Sequence, residues 1–261
     1  MNIIELTDEH KSLFAACLED WSADVKEAGT RRAEWIDRFL SKGFRAQLAI
    51  DENGTVGGMI QYLPIEHSFA RGSELYFVPC IWVHGHKQGR GNFQGRGMGS
   101  ALLEAAEADA RTRGAKGMAA WGIWLPFWMK ASWFKRHGYR KADRQSVAVL
   151  LWKRFCDDAV PPCWYPKGNK LPDPAPGKVN VTAFVNGWCT VGNLIAERAR
   201  RAAVEIGDKV VFHEIDTSQP GAVARWGYSD ALFVDKKEIS AGPPPSYDKI
   251  RSIIAKRARS L

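Results

Sequence analysis

The sequence predicts an α/β (α+β) protein in two folded parts, and three observations carry that prediction. Over the first 155 residues, apolar segments that read as strands alternate with segments of helical spacing. A glycine-rich loop joins a strand to a clean helix across residues 74–113. A proline-dense stretch at 157–177 then separates this part from a smaller strand-and-helix pattern that runs on to Leu261.

The elements follow in order. Asn2–Leu6 reads as a short strand, and residues 10–20 have helical spacing. Residues 31–42 do too, with Trp35, Ile36, Phe39 and Leu40 on one face. Arg45–Ile50 and Thr55–Leu63 are apolar runs joined by Asp51-Glu52-Asn53-Gly54, a hairpin signal. Glu74–His84 is an apolar strand, followed by a glycine-rich loop at 85–97. Ser100–Arg113 is a helix with Leu102, Leu103, Ala106 and Ala110 on one side, ended by Gly114. Gly117–Trp124 is strand-like, Phe127–His137 a short helix closed by Gly138, and Val147–Trp152 a strand. Six prolines between 157 and 177 exclude a helix or sheet interior, so this stretch is a semi-extended linker, pinned to a domain surface by Cys163-Trp164-Tyr165. Beyond it come strands at Val179–Val185, Lys209–Asp216 and Ala231–Asp235, and helices at Asn193–Ile206 and Tyr247–Arg259. The expected division is therefore 1–156, linker 157–177, and 178–261.

Composition narrows the function. With 45% hydrophobic and 25% charged residues the chain is that of a globular protein. It has no apolar run of membrane-spanning length, and its N-terminus lacks a basic region followed by an apolar core. A cytoplasmic location with no membrane partner is expected. Cys17, Cys80, Cys156, Cys163 and Cys189 contain no CxxC pair, which argues against a disulfide framework and against a metal site. The net charge of +8 is spread: residues 178–261 hold 13 Lys/Arg and 9 Asp/Glu, leaving the same excess for the rest. With no basic arm, nucleic acid is not the expected partner, and an anionic small molecule explains the excess equally well.

The chemistry concentrates in Gln94-Gly95-Arg96-Gly97-Met98-Gly99-Ser100. A helix N-terminus presents unpaired N–H groups and a partial positive charge, and glycines let backbone approach a phosphate. Arg96 can add a full charge. Alone, such a string is shared by many plain strand–helix turns. Its order with the other elements is what makes it specific. From Asn2 to about Phe155 the arrangement resembles the GNAT superfamily of N-acetyltransferases: Gln94, Gly97 and Gly99 fit the motif [Q/R]xxGx[G/A], and Phe134-Lys135-Arg136-His137-Gly138-Tyr139 fits the aromatic-x3-Gly-aromatic close of a later helix.

The resemblance implies a central, mostly antiparallel sheet with helices on both faces. It implies acetyl-CoA as cosubstrate, held by residues 94–100 and by the strand backbone at Trp82 and Val83, and an amine acceptor on a small molecule or peptide. Where Phe134 stands, many members of the family have a tyrosine that protonates the leaving thiolate, and phenylalanine cannot. The loop Gly85–Phe93 is longer than is usual for the family and is a candidate wall of the acceptor mouth.

An amine with a pKa of about 10.4 must lose a proton before it attacks a thioester. Glu66, His67, Glu74 and His84 are the candidate bases near the expected cleft, and a backbone N–H near Trp82 or Val83 is the candidate oxyanion donor. Cys80 is either a small buried apolar residue or an acyl acceptor, and Trp121, Trp124, Trp128 and Trp133 are core or pocket lining. In the second part, Asn186-Gly187-Trp188-Cys189 ahead of a helix resembles the entry to a thioredoxin-like active site. Gly192 replaces the second cysteine, so dithiol chemistry is not expected. The combination, with Gly242-Pro243-Pro244-Pro245 and Cys80–Gly85, resembles YoaP-type proteins. Homodimer formation is left open, and a coenzyme sensor or a monothiol protein acting through Cys189 are the alternatives to an enzyme.

Overall fold

The computed structural model describes residues 1–125, 129–168, 170–239 and 243–261. The start expected for a helix at Phe127, together with Trp128 and Gly242, lies outside them. The elements are β1 (Asn2–Glu5), α1 (Asp8–Ala15), α2 (Ala23–Glu27), α3 (Arg31–Leu40), β2 (Arg45–Ile50), β3 (Val56–Pro64), β4 (Ala70–Arg71), β5 (Leu75–Val83), α4 (Met98–Thr112), β6 (Gly117–Ile123), α5 (Ala131–Arg136), β7 (Arg140–Gln145) and β8 (Ala148–Arg154). They continue with β9 (Cys163–Trp164), β10 (Val179–Val185), α6 (Thr190–Ile206), β11 (Val210–Asp216), α7 (Ala222–Trp226), β12 (Ala231–Val234), β13 (Lys237–Glu238) and α8 (Tyr247–Ala258).

The chain divides into two compact units, Met1–Trp21 with Ile36–Tyr165, and Ser22–Trp35 with Pro166–Leu261. The division differs from the expected 1–156 and 178–261 in one respect of substance. The segment carrying α2 belongs with the second unit, because Arg198 on α6, itself buried, donates to Glu27 (2.8 and 3.0 Å) and to Asp24 (2.7 Å). No hydrophobic periodicity announces that attachment; it rests on charged side chains 171 and more residues apart in sequence.

The first unit is built on a seven-stranded sheet in the order β1-β2-β3-β5-β6-β8-β7. All neighbours are antiparallel except β5 and β6. One face is covered by α4 and α5, whose Leu102, Leu103, Ala106, Ala110, Ala131 and Phe134 pack with Ile60, Val78, Ala120 and Leu151 of the strands. Successive strand residues point to opposite faces, and the alternate set Leu48, Phe77, Ala119 and Leu150 is equally closed to solvent, as are Phe14, Leu18, Ile36 and Phe39. The polar edge strand β7, with its run of charges, carries no apolar alternation and was not predicted; charged residues are how exposed edges avoid further pairing. Within the proline-rich segment, Cys163 and Trp164 pair with Arg71 and Ala70, and the Trp164 ring stacks on Phe69 at 6.2 Å.

In the second unit a four-stranded sheet runs β11-β10-β12-β13. β10 is parallel to β11 and antiparallel to β12, which is antiparallel to β13. Ala196, Ala199 and Ala202 of α6 and Ile250 and Ile254 of α8 bury against Val179, Val181, Ala183 and Leu232. The small residues on α6 let the helix lie close to the sheet. Among the described residues no helix is long and apolar enough to cross a membrane.

Candidate active site

β5 and β6 run in parallel register only from Leu75↔Gly117 to Val78↔Ala120. Beyond that point β5 continues to Val83 and β6 to Ile123 without pairing each other. The strands part at Pro79, which has no N–H to offer a ladder; its carbonyl accepts the indole N–H of Trp121 on β6 at 2.7 Å. On its other side β5 stays paired to β3, and the His84 N–H reaches the Gly57 carbonyl at 2.9 Å. Backbone groups in an antiparallel ladder alternate in direction. Trp82 and the His84 N–H therefore face β3, while the His84 carbonyl accepts from the Phe93 N–H at 2.8 Å and Ile81 and Val83 aim their groups at the gap beside β6. Of the two strand residues expected to meet a coenzyme, Val83 offers its amide and Trp82 does not.

The loop is anchored from below. Phe93 is buried, and its ring occupies the space that a Cβ on Gly57 would need, 2.5 Å from its nearest ring carbon. Gln94 donates its N–H to the Asn92 side chain at 3.0 Å and folds its amide against Gly85, where a Cβ would collide with it. Gln94 thus serves the loop's own fold through its side chain. Gly95 and Gly97 have φ of +78° and +81° with open space around them, the backbone region that other residues enter only under strain. Gly97 caps α4 from this conformation, no side chain caps that helix, and no acidic residue lies in its first turn. The N–H groups of Met98, Gly99 and Ser100 are thereby left for an external acceptor. Arg96 is exposed, its guanidinium 5.2 Å from the Phe93 ring centre. A cradle of left-handed glycines, a helix N-terminus without a competing carboxylate and an adjacent arginine suit a diphosphate.

Ser100 is tied into a chain that the sequence did not disclose. Its hydroxyl lies 2.8 Å from His137 Nε2, and His137 Nδ1 lies 2.9 Å from the Trp133 carbonyl. A carbonyl only accepts, so Nδ1 carries the proton and Nε2 accepts from Ser100. The Trp133 ring lies against the imidazole at a tilt of 39°, ring centres 4.1 Å apart, and sits 3.3 Å from where a Gly99 Cβ would be. His137 appeared in the sequence only as a spacer within the helix-closing motif.

The candidate bases separate sharply. His84 is fully buried at the end of β5 that meets the loop. Its Nδ1 lies 2.6 Å from the Gly91 carbonyl, which fixes the proton there, and its Nε2 is a buried lone pair with no partner among the described residues. The rings of Trp21 and His86 meet it edge-on at 5.0 and 5.5 Å. Glu66 and Glu74 stand at the far end of the same strand, about nine residues and ~30 Å away. There Glu66 accepts the Glu74 N–H at 2.9 Å, and Glu74 pairs with Lys116 at 2.9 Å. Both carboxylates hold a turn, and the structure does not bring them to the loop. His67 stands beside Glu66 in the same short helical turn, with its ring against Phe39. Cys80 is buried. Phe134 is buried against Trp133 and Tyr139. Tyr139 is also buried, and burial first, then the nearby Glu107, pushes its phenol well above the ordinary value. Trp124 is exposed.

This is the geometry of a GNAT fold. Residues 10–126, which hold the loop and the parted strands, match the family model described as "Acetyltransferase (GNAT) family". Over those residues the chain is thus similar to a GNAT acetyltransferase domain. Similar solved structures include a GNAT family acetyltransferase from Brucella melitensis in complex with acetyl-CoA (17% identity, 62% of this chain and 94% of that one, TM-score 0.41). They also include the GNAT family N-acetyltransferase YhbS from Escherichia coli in complex with CoA (16%, 60% and 82%, TM-score 0.43). A third is ribosomal-protein-alanine N-acetyltransferase from Brucella melitensis (17%, 59% and 100%, TM-score 0.44). No curated protein matches the chain.

Proposed function

We propose that the first unit binds acetyl-CoA and transfers its acetyl group directly to a primary amine on a small molecule or peptide. The observation that carries this reading is the parting of β5 from β6 beside an uncapped helix N-terminus reached through two left-handed glycines. The diphosphate belongs at the amides of Met98, Gly99 and Ser100, with Gly95 and Gly97 letting the backbone close on it and Arg96 adding charge. The pantetheine arm lies in the gap along Ile81 and Val83. The Val83 N–H faces the thioester carbonyl and stabilises negative charge as it grows on that oxygen. His84 takes the proton of the incoming amine at Nε2, the nitrogen left free by the bond to Gly91. No nucleophilic side chain is required, and the thiolate leaves without a tyrosine at position 134.

The thermal midpoint with and without acetyl-CoA tests the first half. Ligand at about 100 times its Kd stabilises the native state by ~2.7 kcal/mol. An unshifted midpoint in the folded protein would remove the reading. An amine panel with detection of released thiol tests the second half. Buried Phe134 favours one other reading, a coenzyme sensor, and binding without thiol release on any amine would select it.

For the second unit we infer a thioredoxin-like arrangement of the YoaP type that serves docking. The strand order and directions support it. Cys189 stands at the N-cap of α6, and the Asp230 carboxylate occupies the space a side chain at Gly192 would need. This crowding, with Gly192 in place of a second cysteine, supports a single-thiol role over dithiol chemistry.

A further inference from the structure

We propose that Ser100 and His137 act together as a proton-linked ligand for the coenzyme diphosphate, His137 serving as a positioning residue through Ser100. The inference rests on the coenzyme reading above and deepens it. Ser100 is the third residue of α4. Helical side chains tilt toward the N-terminus, which aims its hydroxyl at the same space as the amides of Met98 and Gly99. In the structure that hydroxyl gives its proton away from this space, to His137 Nε2 at 2.8 Å. An anion arriving there therefore meets the lone pairs of the Ser100 oxygen. The conflict resolves when His137 takes up a proton. Nδ1 stays on the Trp133 carbonyl, Nε2 becomes a donor to Ser100 Oγ, and the hydroxyl proton turns to the phosphate. One proton is bound per coenzyme, no covalent bond changes, and a positive charge is placed behind the serine.

The surroundings allow that charge. On α5 itself Lys135 and Arg136 are exposed. From β8, Lys153 approaches Gly138, but it is paired with Glu107 of α4 at 2.7 Å. Glu104, one turn beyond Ser100, is exposed. The Trp133 ring leans on the imidazole, centres 4.1 Å apart, and its electron-rich surface favours a cation there.

The test is calorimetry of the full chain with dephospho-CoA, which keeps the diphosphate and lacks the 3′-phosphate that would itself titrate. Binding is measured at about pH 7.5, about one unit above the ordinary imidazole value of about 6.5, in two buffers of different ionisation enthalpy. Wild type is expected to take up close to one proton. His137→Gln, a permanent acceptor, and Ser100→Ala are each expected to take up none and to bind about tenfold more weakly. Circular dichroism and thermal midpoints close to those of wild type show that both variants fold. Uptake that persists in His137→Gln, or dephospho-CoA binding by both variants as tight as that of wild type, would overturn the proposal. A wild type that binds no dephospho-CoA would remove this proposal and the coenzyme reading together, whereas binding without proton uptake would remove this one alone.

Discussion

Trp121 and Pro79 face each other across the opening of the sheet: the indole N–H donates to the proline carbonyl at 2.7 Å, where β5 and β6 cease to pair. A backbone carbonyl that has lost its strand partner is thus satisfied by a side chain. Trp121→Phe keeps most of the packing and removes the donor. We expect a loss of about 1 kcal/mol, the net worth of one such bond, together with a several-fold weaker affinity for acetyl-CoA. Denaturant titration and calorimetry read the two effects separately. Lower stability with unaltered affinity would show that the bond holds the sheet and does not shape the gap.

Gly97 is the point where backbone shape and charge can be separated. Its φ is +81° and nothing lies within 4 Å of a Cβ built there, so a side chain meets strain without collision. Gly97→Ala should cost roughly 1–2 kcal/mol of backbone strain and bind acetyl-CoA moderately less well. Gly97→Glu adds a carboxylate at the helix N-terminus, which the helix itself tolerates but a diphosphate does not. We expect binding to disappear in Gly97→Glu while its circular dichroism stays that of wild type. Equal affinities for the two variants would move the diphosphate elsewhere.

These two sites were unequally legible in the sequence. The glycine loop was readable because glycine spacing ahead of a helical pattern reports directly on backbone conformation. The parted strands were not, since β5 reads as one continuous apolar run and only the register with Gly117–Ala120 shows where pairing stops. Glu66 and Glu74 were attractive as acids near a strand, yet a strand has two ends and sequence does not say which one faces the loop. His84 stood out as the histidine on β5, but its fixed tautomer depends on Gly91, seven residues later in an irregular loop. Ser100 and His137 are 37 residues apart on two helices, and neither has a pattern that names the other. What is local in the chain was read; what is made by side chains meeting across elements was not.

His84→Asn tests the proposed base with little change of shape. The Asn amide can still donate to the Gly91 carbonyl, which preserves the loop, while the acceptor at Nε2 is gone. General-base assistance contributes about 10²–10⁴-fold. We therefore expect kcat to fall by about that factor and KM for acetyl-CoA to hold. A kcat within a few-fold of wild type in the variant would assign the base to another group or to water.

Asp230 gives the second unit a dependence on pH whose sign is fixed by burial. The residue is half-buried, and the burial of its carboxyl raises its pKa even though Ser229, the Asn186 N–H and the Trp188 indole N–H all donate to it. The folded state thus holds the proton more tightly than the unfolded chain, whose Asp titrates near the ordinary value of about 3.9. Below that value both states are protonated and the carboxyl exacts no penalty. As pH rises from there through the folded value, the unfolded state ionises first and stability is lost. Asp230→Asn cannot ionise. It exchanges one acceptor oxygen for an amide and should be less stable than wild type at about pH 4, by about 1–3 kcal/mol for the donor left facing it. The gap between the two proteins should then close as pH rises toward 7, because only wild type pays for a buried charge. Thermal midpoints measured across that interval decide the matter, and two curves that run parallel would mean that Asp230 is already ionised at no cost in the folded protein.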